Sequence, residues 1–347
     1  RPAITIDTDY LSGDASYLYY YQSLSSKEKE IYENIYNCIL DNAKKVTISS
    51  NDYELVQKIN DYVLYDLPYY SNIGDLLIWE GELSFLKGLP FKMLECGSAF
   101  TSNLKRKIKK DTIILLQGGG NFGDIWDIHE FKRKVIRNYP ENRIIIFPQT
   151  VFYQKNENML RDIELMSRHP YLTICARDIH SFEVLKKNFK NTILLVPDMA
   201  FCIPYENLQK YLQPTQNKTL YVKRKDKELC KENISFSPLF NLFESDWPSY
   251  EQVTWEEKGL KLAYKFRHLG LSSIIDLYAF YILRPQLIRK GIEFVSQYRE
   301  IYTTRLHVFI LSILLGKSCT IIDNSYGKNS SFYETWLKNV DGIILHK

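Results

Sequence analysis

Thr112-Ile113-Ile114-Leu115-Leu116-Gln117-Gly118-Gly119-Gly120-Asn121-Phe122-Gly123-Asp124 sets the reading of the whole chain. A short run that is apolar at every position breaks abruptly into glycines. Strands that are apolar on both faces belong to parallel sheets covered by helices. Glycines just past such a strand let backbone approach a ligand closely. If a helix follows, its free amide N–H groups and dipole favour an anion. The spacing matches neither G-x-G-x-x-G nor a Walker A loop, and a tight strand-to-helix connection is the competing explanation. Asn72-Ile73-Gly74-Asp75 repeats the grammar and is expected at the same C-terminal sheet edge.

Outward from this stretch, apolar strands alternate with amphipathic helices. Strands are expected at residues 62–66, 91–96, 112–117, 143–147, 171–175 and 193–196, with helices at 76–86, 129–138, 156–168 and 179–189. A polar segment, 205–218, reads as a linker. Beyond it the alternation resumes, with strands at 220–223, 298–302, 318–322 and 342–345 and helices at 250–268, 285–295, 306–315 and 330–338. Ahead of it all, Ser25-Ser26-Lys27-Glu28 fits a capping box opening a helix with Ile31, Ile35 and Ile39 on one face. The expected plan is a helical extension over 1–60, one Rossmann-like α/β domain over 61–204, the linker, and a second over 219–347. Their parallel sheets would face each other across a cleft, where ligands of such sheets collect.

Composition narrows the function. The 347 residues carry a net charge of only +4, too small for a broad nucleic-acid face. The six cysteines are scattered singly without a C-x-x-C pair, and the histidines lack ligand spacing, so no metal is expected. The N-terminus does not resemble a signal peptide and the longest apolar runs are too short to span a bilayer, so a cytoplasmic protein is expected.

Thr303-Thr304-Arg305-Leu306-His307 opens a very apolar helix. Arg305 offers a permanent cation with a fork suited to phosphate or carboxylate. His307 can exchange a proton near neutral pH. The alternative is an Arg305 ion pair and a His307 backbone cap. Arg177 also ends a strand; its alternative is a salt bridge to Asp178 or Glu183, while Asp178 is expected to cap the next helix. Lys223-Arg224-Lys225 is a basic cluster at another strand end.

In this order the motifs resemble the polysaccharide pyruvyl transferase family. The carrying residues are Asn72 to Asp75, Gln117 to Asp124, Ile146-Phe147-Pro148-Gln149-Thr150, Arg177-Asp178 with Ser181, Arg305-Leu306-His307, and Asp323 with Tyr326-Gly327-Lys328. The match runs from about Asp61 to the C-terminus. Val308 stands where members often have a small residue.

The resemblance implies two Rossmann-like domains in a GT-B-like arrangement. It also implies transfer of a pyruvyl group from phosphoenolpyruvate to a sugar, as a cyclic ketal with release of phosphate and with no cofactor. Arg305, His307 and Asp124 would be catalytic, with Asp75 or Asp124 as base. Arg177, Asn72, Gly74, Asp75, Gly119, Gly120, Asn121 and Lys328 would bind substrate. The acceptor would be a glycan or lipid-linked sugar, the latter with peripheral contact at the inner membrane face. Two other readings fit the architecture: a GT-B-like nucleotide-sugar glycosyltransferase, with Lys223 to Lys225 on a diphosphate, and a non-catalytic sugar-binding protein.

Overall fold

The computed structural model describes residues 61–89, 91–229, 241–338, 340 and 342–346. The helical extension expected over 1–60, with its Ser25 capping box, lies outside the described residues, as do Cys38 and Cys230.

Two parallel sheets form the frame. The first contains β1 (Tyr62–Tyr65), β2 (Met93–Cys96), β3 (Ile113–Leu116), β4 (Gly119–Gly123), β5 (Ile144–Phe152), β6 (Leu172–Ala176) and β7 (Thr192–Leu195). Its order is β2-β1-β3-β5-β6-β7, and β4 pairs with the far half of β5. Its helices are α1 (Ile73–Lys87), α2 (His129–Asn138), α3 (Asn156–Ser167) and α4 (Ile179–Asn188). A 3-10 turn (Met199–Cys202) and short α5 (Tyr205–Gln209) lead out of it.

The second sheet runs β12-β11-β10-β8-β9. Its strands are β8 (Gln216–Val222), β9 (Leu242–Ser245), β10 (Tyr298–Thr303), β11 (Ser318–Ile322) and β12 (Ile343–His346). Between β9 and β10 come α6 (Pro248–Glu251), α7 (Trp255–Lys265), α8 (Ser272–Tyr278), a π-helical turn (Ala279–Leu283) and α9 (Arg284–Ser296). Helices α10 (Leu306–Leu314) and α11 (Lys328–Trp336) follow β10 and β11.

Alternation along the strands explains the layering. Val63, Tyr65, Ile114 and Leu116 join the core beneath α2, α3 and α4, whereas Tyr62, Leu64 and Leu115 face the opposite core. That opposite core is shared. Ile73, Leu77 and Trp79 of α1 belong to one cluster with Leu287 of α9, Phe309 of α10 and Leu220 and Ile301 of the second sheet.

Several boundaries differ from expectation. The glycine turn continues as β4 rather than opening into a helix, with positive φ at Gly119 (128°) and Gly123 (130°) at its two ends. Strand β5 runs on through Pro148, and its register with β6 shifts between Ile146 and Gln149 around that missing donor. The polar linker contains α5 and the start of β8. Helix α11 begins two residues early, at Lys328, because the Asp323 carboxylate accepts the amides of Asn329 and Ser330 (3.1 and 3.2 Å). Asp178 caps α4 as expected, accepting the Ser181 amide at 2.9 Å. Among the described residues no helix is long and apolar enough to cross a membrane.

Gly81, midway along α1, lets the 3-10 turn lie directly on that helix. A Cβ there would stand 1.8 Å from the Met199 carbonyl oxygen, and backbone cannot step aside as a side chain can. Gly81→Ala should therefore destabilise by about 1–3 kcal/mol despite the better helix propensity of alanine, read as a lower denaturant midpoint.

Candidate functional site

Every strand of a parallel sheet delivers its following loop to the same edge. Here strand β4 and the segments after β1, β2, β4, β6, β8, β9, β10 and β11 surround one cavity of about 440 Å³. Asn72, Asp75, Gly120, Asn121 and Arg177 line it from the first sheet; Arg305, His307 and Lys328 line it from the second.

Behind its wall is a carboxylate absent from the sequence-based expectation, bonded to two of the lining residues. Asp198, buried after β7, accepts from Arg177 Nη1 at 2.6 Å and from the Ala200 amide at 3.0 Å, and bonds His307 Nε2 at 3.3 Å. Burial alone would push its carboxyl up. The charges of His307 and Arg177 and the hydrogen bond to His307 outweigh that, holding the carboxyl well below the usual range. Arg177, itself buried, also donates from Nε to Thr150 Oγ1 at 2.9 Å. The Arg177 partner is therefore Asp198, not Asp178 or Glu183, and His307 bonds a carboxylate rather than capping backbone.

Arg305 is seated by Asp246, which receives Nη2 at 2.6 Å and also Nε. Its guanidinium carbon lies 4.8 Å from the Tyr250 ring centre. Lys328 Nζ, 2.5 Å from Glu228 Oε2, is buried. Burial, with repulsion from Arg224 and Arg177, brings its ammonium down to about 8 despite Glu228. Arg224 also lines the cavity, but Asp226 takes its Nε and Nη2 and Glu228 its Nη1. Lys225 is paired with Glu251 at 2.6 Å. Of the basic cluster that would serve a nucleotide diphosphate, Arg224 and Lys225 are thus paired with acids.

Two glycines leave necessary space. A Cβ on Gly74 would lie 2.7 Å from His307 Nδ1. One on Gly120 would lie 3.4 Å from Arg177 Nη2 and 3.7 Å from Lys328 Nζ. Asn72 caps α1 by accepting the Gly74 amide (3.0 Å) and donates to Asp75 Oδ2 (2.8 Å), which Tyr70 also reaches at 2.8 Å. Gln149 Nε2 donates to the Gln117 carbonyl (2.7 Å), and Gln117 Nε2 to the Asp75 carbonyl (2.9 Å), tying the first-sheet turns together.

Gly119 is one step behind the cavity wall, against Ile78 and 3.9 Å from Asp75 Oδ1 as measured from its would-be Cβ. Asp124 is not among the described residues that line the cavity. Its carboxylate accepts the amides of Gln154 and Lys155 (2.6 and 2.9 Å) and the Asn158 side chain (2.9 Å), which hold it below the usual range. Those contacts join β4 to the start of α3, and Asp124 drops out of the candidate chemistry. Trp126, Asp127, Trp247 and Tyr250 line the cavity without having been expected. Among the described residues no group of three or more His, Cys, Asp or Glu side chains is placed to hold a metal ion.

Comparison with known proteins agrees with this geometry. The model of the family described as polysaccharide pyruvyl transferase matches residues 72–326. A Bacillus subtilis (strain 168) protein named "Putative pyruvyl transferase EpsO" is 31% identical over 84% of this chain and 90% of its own length. Pyruvyl transferase 1 of Schizosaccharomyces pombe is 26% identical over 82% of this chain and 72% of its own. A crystal structure of an uncharacterized Klebsiella pneumoniae protein shares the fold, with a TM-score of 0.56 at 20% identity, covering 87% of this chain and 99% of that one. With the family model spanning most of the chain, from the Asn72 cap to Tyr326 beside Lys328, this protein belongs to the polysaccharide pyruvyl transferase family.

Proposed function

We propose that the cavity binds phosphoenolpyruvate and that the enzyme moves its pyruvyl group onto two hydroxyls of one sugar, forming a cyclic ketal and releasing phosphate. The two sheets then act as Rossmann-like domains facing across the cavity in the GT-B manner. The acceptor is a sugar of a polysaccharide or of its lipid-linked precursor, met on the cytoplasmic side of the membrane.

The observation that carries this is the meeting of Arg177 from the first sheet with Arg305 and His307 from the second around one cavity. A trianion leaving water needs fixed cations and amide donors already in position. Carboxylates fix each guanidinium before the ligand arrives, so little ordering is needed on binding. Arg177 has Nη2, toward Gly120, beyond its bonds to Thr150 and Asp198; Arg305 has Nη1 beyond its bonds to Asp246. Those atoms and Lys328 are assigned to the phosphate and carboxylate. His307 is assigned as donor of the proton to the methylene carbon while an acceptor hydroxyl attacks the neighbouring carbon. Asp75, in the same wall, receives the proton of that first hydroxyl; the second hydroxyl then displaces phosphate and its proton returns to His307.

Phosphoenolpyruvate should raise the melting temperature by roughly 2–4 °C at saturation, while nucleotide sugars leave it unmoved. Arg305→Lys should lower kcat/KM on the order of 100-fold, because an ammonium cannot replace the fork. Activity within about twofold of the parent would remove Arg305 from the anion site.

The Lys328 ammonium adds a pH signature. It loses its proton near 8 in the folded chain, against 10.5 as the ordinary value. Between those values the unfolded chain binds more protons, so the cost of burying the ammonium is relieved and stability rises with pH. Affinity for phosphoenolpyruvate should move the other way and weaken above pH 8, as the cation disappears. Titration calorimetry from pH 7 to 9 should show this loss in the parent and a flatter profile in Lys328→Gln; equal slopes would reject the assignment.

Gly74→Ala should push His307 off its line with Asp198. Because small misplacements at a reacting centre are costly, kcat should fall tenfold or more (about 10–100-fold), alongside an overpacking cost of about 1–3 kcal/mol in stability. Parental kcat in that variant would show that the His307 position is not critical.

A further inference from the structure

A second groove of about 620 Å³ abuts the cavity and shares Phe100, Asp127 and Ile128 with it. Its electrostatics are the reverse of the first. There, each arginine is matched by a carboxylate. Here Lys105, Lys134 and Arg267 line the walls, all exposed, and among the described residues none of them forms an ion pair. Two acids share the groove: Glu130, already bound by Arg133 and Arg137 at 3.1 and 3.0 Å, and Asp127 at the junction with the first cavity. The groove therefore carries an excess of positive charge, with its three cations paired to neither acid among the described residues.

At the junction stands Phe100, 56% exposed, its ring edge-on to Tyr264 with centroids 6.5 Å apart. An aromatic side chain this exposed at a cavity mouth contributes nothing to the core. Its negative ring face suits the C–H face of a pyranose. Asp127 also lines this junction, exposed, and its carboxylate accepts no side-chain hydrogen bond among the described residues. It is placed to accept from sugar hydroxyls as they enter the first cavity.

We propose that this groove is the acceptor site and that it selects a glycan bearing an anionic group. The pyranose to be modified lies on Phe100 with its hydroxyls toward Asp127, and a phosphate or carboxylate on the same molecule meets Lys105, Lys134 and Arg267. The anion is either the diphosphate of a carrier-linked sugar or a uronate in the glycan, since both present the same acidic oxygens to these cations. The inference rests on the pyruvyl-transfer reading for the sugar, but the charge of the groove stands without it.

The test uses the full chain and short-prenyl glucosyl, galactosyl and N-acetylglucosaminyl diphosphates, the matching methyl pyranosides, and methyl hexuronides. Calorimetry should show an anionic probe binding more tightly than its neutral counterpart. Combined Lys134→Gln and Arg267→Gln should weaken that probe about tenfold or more, while the response to phosphoenolpyruvate stays parental. Phe100→Ala should weaken neutral and anionic probes alike. Preference for the diphosphates or for the uronides identifies the source of the anion, and either supports the proposal. Absence of any anionic preference, undetectable binding of every probe, or parental affinity in the double variant overturns it. Failure of the phosphoenolpyruvate response in the unmodified chain would instead strike the donor assignment, because that response is read separately.

Discussion

One buried carboxylate fixes the relation between the two halves of the site. Asp198 holds Arg177, which follows a strand of the first sheet, and His307, which opens a helix of the second. Burying a carboxylate away from water is costly unless it is paired and hydrogen-bonded. Here the cost is offset by the Arg177 guanidinium from one side and the His307 ring from the other, so the arrangement is satisfied only when the halves are correctly docked. Its position is inherited from below. The 3-10 turn that Asp198 caps lies on α1 through Gly81, and α1 presents Asn72, Gly74 and Asp75 at its own N-terminus. A shift of α1 would displace the anchor and the wall together.

Contacts between the halves continue around the same edge. Trp336 Nε1 of α11 donates to the Arg177 carbonyl at 2.7 Å, and Ser331 Oγ donates to Asp178 at 2.9 Å. On the other side Ser249 Oγ donates to the Ser71 carbonyl at 2.6 Å. These are polar contacts next to a shared apolar core, so the core supplies adhesion and the hydrogen bonds set register. Arg224 shows how completely the cavity charges are assigned: with Asp226 and Glu228 occupying its fork, it shapes the wall but has little left for a ligand.

The frame was legible because continuous apolar strands and glycine turns reflect local physics: burial on both faces and close backbone approach. Arg305, His307 and Arg177 were legible for the same reason, as polar residues at strand ends where a parallel sheet gathers its loops, whereas Lys328 came only with the family resemblance. Asp198 and Asp246 were not. Each is a lone aspartate, and its meaning comes from a partner far away in sequence. Strand β9 escaped because Leu242-Phe243-Glu244-Ser245 is a half-exposed edge with little apolar signal. Asp124 misled because its motif position suggested a ligand, whereas the amides at the start of α3 had already claimed its oxygens.

Glu82 shows how an acid can sit beneath an anion site without opposing it. It is fully buried in α1 and accepts the Gly118 amide at 2.8 Å, tying that helix to the glycine turn. Burial is the main influence on its carboxyl, and proximity to Asp198 adds to it; together they outweigh the Gly118 bond and push the acid well above the usual carboxylate range, toward the neutral form. A charged carboxylate there would repel a bound anion through a medium that screens poorly. A neutral one still accepts from backbone and adds no negative field. Asp198 differs because Arg177 and His307 face it directly, so it stays ionised and its charge is spent on fixing them. Of two buried acids near one turn, the one with cationic partners organises the site electrostatically, and the one without them organises only the backbone.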